Sequence, residues 1–278
     1  MAKAIGLIGN FRGKVGNMVG YNLKDSNNKQ TQGVRVYQPI VKNPKTYAQA
    51  EQRAKLAPIN ALYRTLKPVI DRGQEGIMYG NKSRLAWLKT ALKSIQEPWV
   101  PKGSEYIAPA IVPLTHGSLN PAMEVSVTED DATFEFKNTA TSAPATIGAL
   151  SAALKDGNPF IKDGDQVTFI VVSGKWLSVS AMVVSIIIDT TATGALPTGL
   201  TCTTAGVVLT PIGFSVGAAA IVLSREGSNG EHLRSTANLV PYEASFSPFY
   251  GSEAKETAIK SYMATGTTSD WPEEKIEG

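Results

Sequence analysis

The sequence predicts an α+β chain, with an N-terminal module of short strands and two or three helices followed by an antiparallel β-sandwich of immunoglobulin-like type. Two observations predict it. Between residues 46 and 96 apolar residues recur every three or four positions, the period of a helix with one buried face. From 105 to 247 the pattern changes to short β-branched and aromatic runs separated by turn residues. Pro98, Pro101, Pro109 and Pro113 lie between the two regimes, in a stretch unsuited to a long helix or a central strand. The expected domains are therefore a basic strand-and-helix module at 1–104, a β-sandwich at 105–247 and a C-terminal tail with a short helix at 248–278.

In chain order, AIGLIGNF, GNMVGYNL and VRVYQPI read as strands and DSNNKQTQG as a polar turn cluster. Pro44 ends the extended segment, and Thr46 with Gln49 makes a capping-box start for a helix. Leu56, Ile59, Tyr63, Leu66 and Ile70 form its apolar face, and Pro58 is expected to kink or split it. A second helix, NKSRLAWLKTALKSIQ, places Leu85, Leu88, Leu92 and Ile95 on one side and Lys82, Lys89 and Lys93 on another. EVSVTED, TFEFKN, QVTFIVVSG, AMVVSIIID, GVVLTPIG and AAAIVLSR then supply the strands of the sandwich. ATIGALSAALKDG reads as a short helix or a loop over the sheet, and ETAIKSYM as a helical patch before a polar end.

A net charge of +3 over 278 residues conceals a division. Residues 1–100 hold 17 Lys/Arg against 5 Asp/Glu, and residues 101–278 hold 10 against 19. The two parts are thus about +12 and −9. A basic part seeks phosphates, acidic protein surface or the acidic part of a neighbouring copy. Cys202 is the single cysteine, which excludes an intramolecular disulfide and disfavours a thiolate metal site. No signal peptide is expected at the N-terminus. The uncharged span between Asp189 and Arg225 is the one membrane candidate, but Pro211, Gly213, Ser215 and Gly217 interrupt it and favour buried strands, so a soluble protein is expected.

Gly6, Gly9, Gly13, Gly16 and Gly20 raise the question of a phosphate cradle. A P-loop needs glycine five positions before its Gly-Lys pair and a hydroxyl after it; Ile8 and Val15 occupy those positions around Gly13-Lys14. The dinucleotide fingerprint needs a helix after the glycines, and none starts after Gly20. Strand ends, bulges and positive-φ turns with close backbone packing are the preferred reading.

His116 and His232 lack partner motifs and read as surface structure, and Asp163 with Asp165 reads as a turn rather than a calcium loop. No catalytic residue, metal ligand or cofactor is assigned. The residues that carry an interaction reading are cationic: Arg12, Lys14 and Arg35 in the glycine-rich opening, then Arg53, Arg64, Lys67, Lys82, Lys89 and Lys93 on the helices. On a helical wheel Gln49, Arg53, Asn60, Arg64 and Lys67 fall near one face. Such a stripe serves as a solvated face, a protein contact or a phosphate contact.

FRGKVGNMVGY, VRVYQP and NPKTYAQAEQRAKL together resemble a family of uncharacterised proteins from Bacteroidota and their phages. The signature residues are Asn43, Pro44, Thr46, Gln49 and Arg53, and GDQVTFI and SREGSNGEHLRST are similar to that family's second half. The resemblance implies a phage structural gene product, with no enzymatic role to carry over to any residue. The expected function is a multi-copy structural component of a virion, a portal or tail ring or a capsid-associated assembly protein. Its implied site is the virion, after assembly in the host bacterial cytoplasm. The implied partners are further copies of itself and other virion structural proteins, without a membrane or small-molecule substrate. The alternative is a nucleic-acid-associated protein that binds phosphates weakly through its basic N-terminal half.

Overall fold

The computed structural model describes residues 13–24, 30–37, 46–94, 99, 101–102, 112–173, 180–227, 232–242 and 251–263. Met1–Lys45 and Thr46–Gly278 are separate compact units. The helices that follow Thr46 bury their apolar faces on the sheets of the second half. The chain is a mixed α+β protein with several antiparallel sheets.

In the first unit, β1 (Gly13–Val15), β2 (Met18–Lys24) and β3 (Gln30–Val36) form a three-stranded antiparallel sheet. Val15 pairs with Met18, so Gly16-Asn17 is a two-residue turn, and Gly16 takes a φ of 56° that side chains disfavour. The strand expected from AIGLIGNF lies outside the described residues. The expected turn cluster is shorter than DSNNKQTQG, because Gln30–Gly33 pairs with Tyr21–Lys24 in the ladder.

The second unit is built on β7 (Gln166–Ser173) and β11 (Val216–Glu226), the central strands of a six-stranded sheet. Its main path runs β4 (Val112–Thr115), β13 (Ala237–Pro241), β11, β7, β8 (Ala181–Ile187), and β12 (His232–Arg234) also pairs with β11. A second antiparallel sheet runs β5 (Glu124–Val127), β6 (Ala132–Glu135), β10 (Gly206–Leu209), β9 (Leu200–Cys202). Along β7, Val167, Phe169 and Val171 face this second sheet, where the Phe134 ring meets Phe169 edge-on at 5.0 Å. The alternate residues Ile170 and Val172, with Ala218, Ala220 and Val222 of β11, face the helices. Both central strands are therefore apolar at nearly every position, as strands covered on two faces must be. This accounts for the uncharged span between Asp189 and Arg225: it folds as β9, β10 and most of β11. Among the described residues no helix is long and apolar enough to cross a membrane.

The helical layer comprises α1 (Tyr47–Thr65), α2 (Lys67–Ile70) and α3 (Asn81–Ser94). Thr46 caps α1, its hydroxyl accepting the Gln49 N–H. Pro58 does not split α1, which continues through it, and the break falls at Leu66, two residues before Pro68. Pro58 is itself buried between two anchored segments: Ala50 and Ala54 pack against Trp99 and α5 (Ser252–Met263), while Ile59 and Leu62 pack against the sheet. Burial on both sides offsets the missing hydrogen bond. Glu51 fixes α5 further by pairing with Lys255 at 3.2 Å, and also pairs with Lys55 of its own helix at 3.3 Å. The segment ATIGALSAALKDG forms α4 (Ile147–Asp156), capped by Thr146 and adding Leu150 and Leu154 to the core between the sheets.

In α3 the expected apolar face is corrected. Ser83, Trp87 and Ala91 are buried and Leu85 is 56% exposed, while Leu88 and Leu92 sit at the flank and Ile95 lies outside the described residues. Trp87 has the larger payload and a polar tether, its indole N–H donating to the Pro113 carbonyl at 2.7 Å. Asp165 is likewise more than a turn residue. Its carboxylate is almost fully buried and takes two 2.7 Å bonds from Arg225, whose guanidinium also donates to the Phe160 carbonyl at 2.6 Å. Removing one partner of such a pair leaves the other charge poorly solvated. Asp165→Ala is expected to lose on the order of 3 kcal/mol of stability, lowering the thermal midpoint by roughly 6–12 °C, as calorimetry would measure.

Candidate interaction surface

Hydrogen-bond register decides which side chains of the first unit share a face. Lys14, Val19 and Arg35 are cross-strand neighbours in one row, and Tyr21 pairs with Gly33 on the same face. Tyr37 continues β3, donating its N–H to the Asn17 carbonyl at 2.7 Å, and the Lys14 ammonium lies 3.5 Å from the centre of its ring. The Tyr21 ring lies over Gly33, where a Cβ would stand 2.7 Å from it and push the ring aside. The result is a cationic face in which Lys14 and Arg35 accompany Tyr21 and Tyr37. The sequence reading missed the two tyrosines, although the Gly16-Asn17 turn sets the register that places them. The opposite face carries Met18, Val34 and Val36, all exposed. Arg12 lies outside the described residues.

In the second unit the helical cations separate into two groups. Arg53 is half-buried on α1, and Arg64 and Lys67 are exposed on either side of Leu66. Lys82, Lys89 and Lys93 are exposed along one outward stripe of α3, opposite Trp87. Leu85 lies within that stripe, and Met78, 70% exposed, lies 3.7 Å from the Lys82 ammonium through its sulfur. Met78, Lys82, Leu85 and Lys89 thus make a mixed apolar and cationic strip. Among the described residues, no carboxylate forms an ion pair with Lys82, Lys89 or Lys93.

The loop before α3 is held by Glu75. Its carboxylate accepts from the Ser118 N–H at 2.8 Å, the Ser118 hydroxyl at 2.8 Å and the Arg234 N–H at 3.1 Å. The loop also joins the sheet through its backbone, the Glu75 N–H donating to the His116 carbonyl at 3.0 Å. Tyr79 packs on His232 with ring centres 5.2 Å apart and offers its ring to Arg72 at 5.8 Å. Both histidines therefore lie beside this loop, one through its backbone and one through its ring. Burial lowers the Arg234 pKa, against the opposing effect of Tyr79. Ile77, Met78 and Tyr79 remain exposed at the tip of a loop whose base is fixed. Cys202 is half-buried and its thiol is pushed up to about 11 by burial, far from a reactive thiolate. No cluster of metal-ligating side chains occurs among the described residues.

Burial would raise the Glu75 pKa, but the donors on Ser118 and Arg234 outweigh it and hold the carboxyl below its ordinary 4.5. Folding thus depresses this pKa, so the stabilising increment is present above about 4.5 and is lost as pH falls through the lowered value. Glu75→Gln is expected to cost on the order of 1 kcal/mol at pH 7, and progressively less as pH falls through the lowered value, in urea denaturation followed across a series of acidic pH values. Comparison with known protein families, curated proteins and solved structures gives no match.

Proposed function

We propose that this chain is a multi-copy structural component of a phage particle, at a portal or tail ring or on the capsid, built to dock basic surface on acidic surface. The observation that carries the proposal is a charge separation across the layers of the second unit. Lys67, Lys82, Lys89 and Lys93 point outward from the helical layer over one face of the six-stranded sheet. Over the other face, the second sheet turns Glu124 and Glu135 outward, directly opposite one another across β5 and β6. Like charges so placed repel, and a cationic neighbour relieves them. Copies or partners stacked helix side to sheet side would bring the two layers together.

The first unit supports the same reading. Residues 1–45 hold eight Lys/Arg against one Asp/Glu, and their described sheet exposes Met18, Val34 and Val36 on the face opposite Lys14 and Arg35. A three-stranded sheet gains independent stability by covering its apolar face, and a neighbouring subunit can supply that cover. Two facing antiparallel sheets suit the sandwich architecture of particle-decorating domains, and an immunoglobulin-like relation belongs to this proposal. The virion placement rests on the resemblance in FRGKVGNMVGY and NPKTYAQAEQRAKL.

Purified protein should form salt-sensitive oligomers, visible by light scattering across concentration and as repeating particles in negative stain. Exposed charges are screened beyond about 8 Å at physiological ionic strength, so association should weaken as salt rises. A monomer at high concentration and low salt, with no partner in a particle, would overturn the reading. The second reading, phosphate binding, is favoured by Lys14 and Arg35 beside Tyr21 and Tyr37. If these cations neutralise two phosphates, replacing both by alanine should reduce the log–log salt slope of DNA binding by roughly 2. Unchanged binding in fluorescence titrations of that variant would remove this face as the phosphate site.

A further inference from the structure

The six-stranded sheet ends at β8, and its outer edge is unlike the other edges of the second unit. Natural sheets guard their edges with short strands, proline, charge or bulges. β4 has four residues and contains Pro113, β5 has four and begins with Glu124, and β9 and β12 have three each. β8 has seven residues, AMVVSII, with neither charge nor proline. No described strand pairs with its far side.

The backbone groups on that edge follow from the ladder. Ser173 N–H donates to the Ser180 carbonyl at 2.8 Å and Ile188 N–H to the Asp165 carbonyl at 2.7 Å, so residues 180 and 188 point their polar groups toward β7. Alternation makes 182, 184 and 186 do the same and leaves Ala181, Val183, Ser185 and Ile187 with amides and carbonyls directed outward. The side chains of Val183 and Ile187 are also 45% and 63% exposed. They stand on the helix-side face, where Val183 neighbours the buried Ile170 across the ladder.

We infer that β8 pairs with β8 of a second copy of this chain, antiparallel about a twofold axis at Ser185. This register sets Val183 of each copy opposite Ile187 of the other, apolar on apolar, and pairs outward backbone groups with outward backbone groups. The segment is self-complementary in the way an isologous contact requires, because Val183 and Ile187 are equally spaced from Ser185. No charge is buried, and the two six-stranded sheets become one continuous sheet. Seven residues span about 24 Å, and such a strip falls short of the roughly 800 Å² per partner of a standard interface. The contact is therefore weak singly and effective in a multi-copy array. The inference deepens the assembly reading and rests on it only in needing more than one copy.

Two variants of the full chain test it. Ser185→Lys places two ammonium groups against each other on the axis, and should weaken dimerisation in sedimentation equilibrium roughly tenfold or more. Added salt should restore part of the loss, which a merely unfolded variant would not show, and thermal melting would check the fold. Ser185→Cys should give a disulfide-linked dimer on mild oxidation. The native chain, whose half-buried Cys202 lies on β9 away from this edge, and a Ser126→Cys control on the outer face of the second sheet should not. Oligomers that persist in Ser185→Lys, together with no cross-link through Cys at 185, would sink the β8 contact and leave the assembly reading standing. A native chain that stays monomeric and a Ser185→Cys variant that does not cross-link would end both.

Discussion

The pairing of β7 with β11 is the constraint on which the second unit depends. These strands are joined at eight register positions, and each faces two different cores. Odd residues of β7 serve the sheet-to-sheet core and even residues the sheet-to-helix core, so a slip of one residue would exchange both sets at once. The ladder contains one irregularity, between Val216 and Ala218, which brings Val216 onto the sheet-to-sheet side despite its even number. Where the two-sided cover ends, charge returns: Arg225 reaches Asp165 in the turn before β7, and the ion pair closes the end of the ladder.

Helix α1 connects two separate clusters. Its first half holds α5 and Trp99, with Lys55 and Lys255 each about 5 Å from the Trp99 ring, and its second half holds the sheet. Local propensity argued for a break at Pro58, and tertiary burial overrode it. The break moved to Leu66, whose side chain is fully buried and whose backbone leaves the helical region. From there α2 and the loop through Glu75 return the chain to the sheet before α3 begins.

This division of labour leaves the outward surfaces available for interaction. On α3 the core takes Trp87 with the small Ser83 and Ala91 beside it, which turns Leu85 and the lysines away from the core. On the second sheet, Phe134 faces inward and its neighbour Glu135 outward by the alternation of any strand. Within the second unit, the helical layer thus turns Lys67, Lys82, Lys89 and Lys93 outward, and the second sheet turns Glu124 and Glu135 outward on the other side. The proposed β8 contact uses a third direction, in the plane of the sheet, so it competes with neither charged layer.

Much of this was legible in the sequence, because periodicity and turn chemistry are local. The spacing of apolar residues identified the helices, β-branched runs identified β5, β6, β7, β8, β10 and β11, and Thr46 marked the start of α1. The cations on α3 were legible as an outward stripe for the same reason. Tertiary structure decided what depends on partners distant in the chain. Leu85 lost its place in the core to Trp87 because Pro113, 26 residues on, offers the indole an acceptor. Tyr21 and Tyr37 joined Lys14 and Arg35 because hairpin register, and not spacing, aligns strands. The strands β4, β9, β12 and β13 lack a β-branched or aromatic run, β4 and β13 carrying proline, and exist through the ladders they complete. The compact units divide at 45/46 because an amphipathic helix belongs to whatever surface covers its apolar face, and that surface lies more than a hundred residues downstream in β7 and β11.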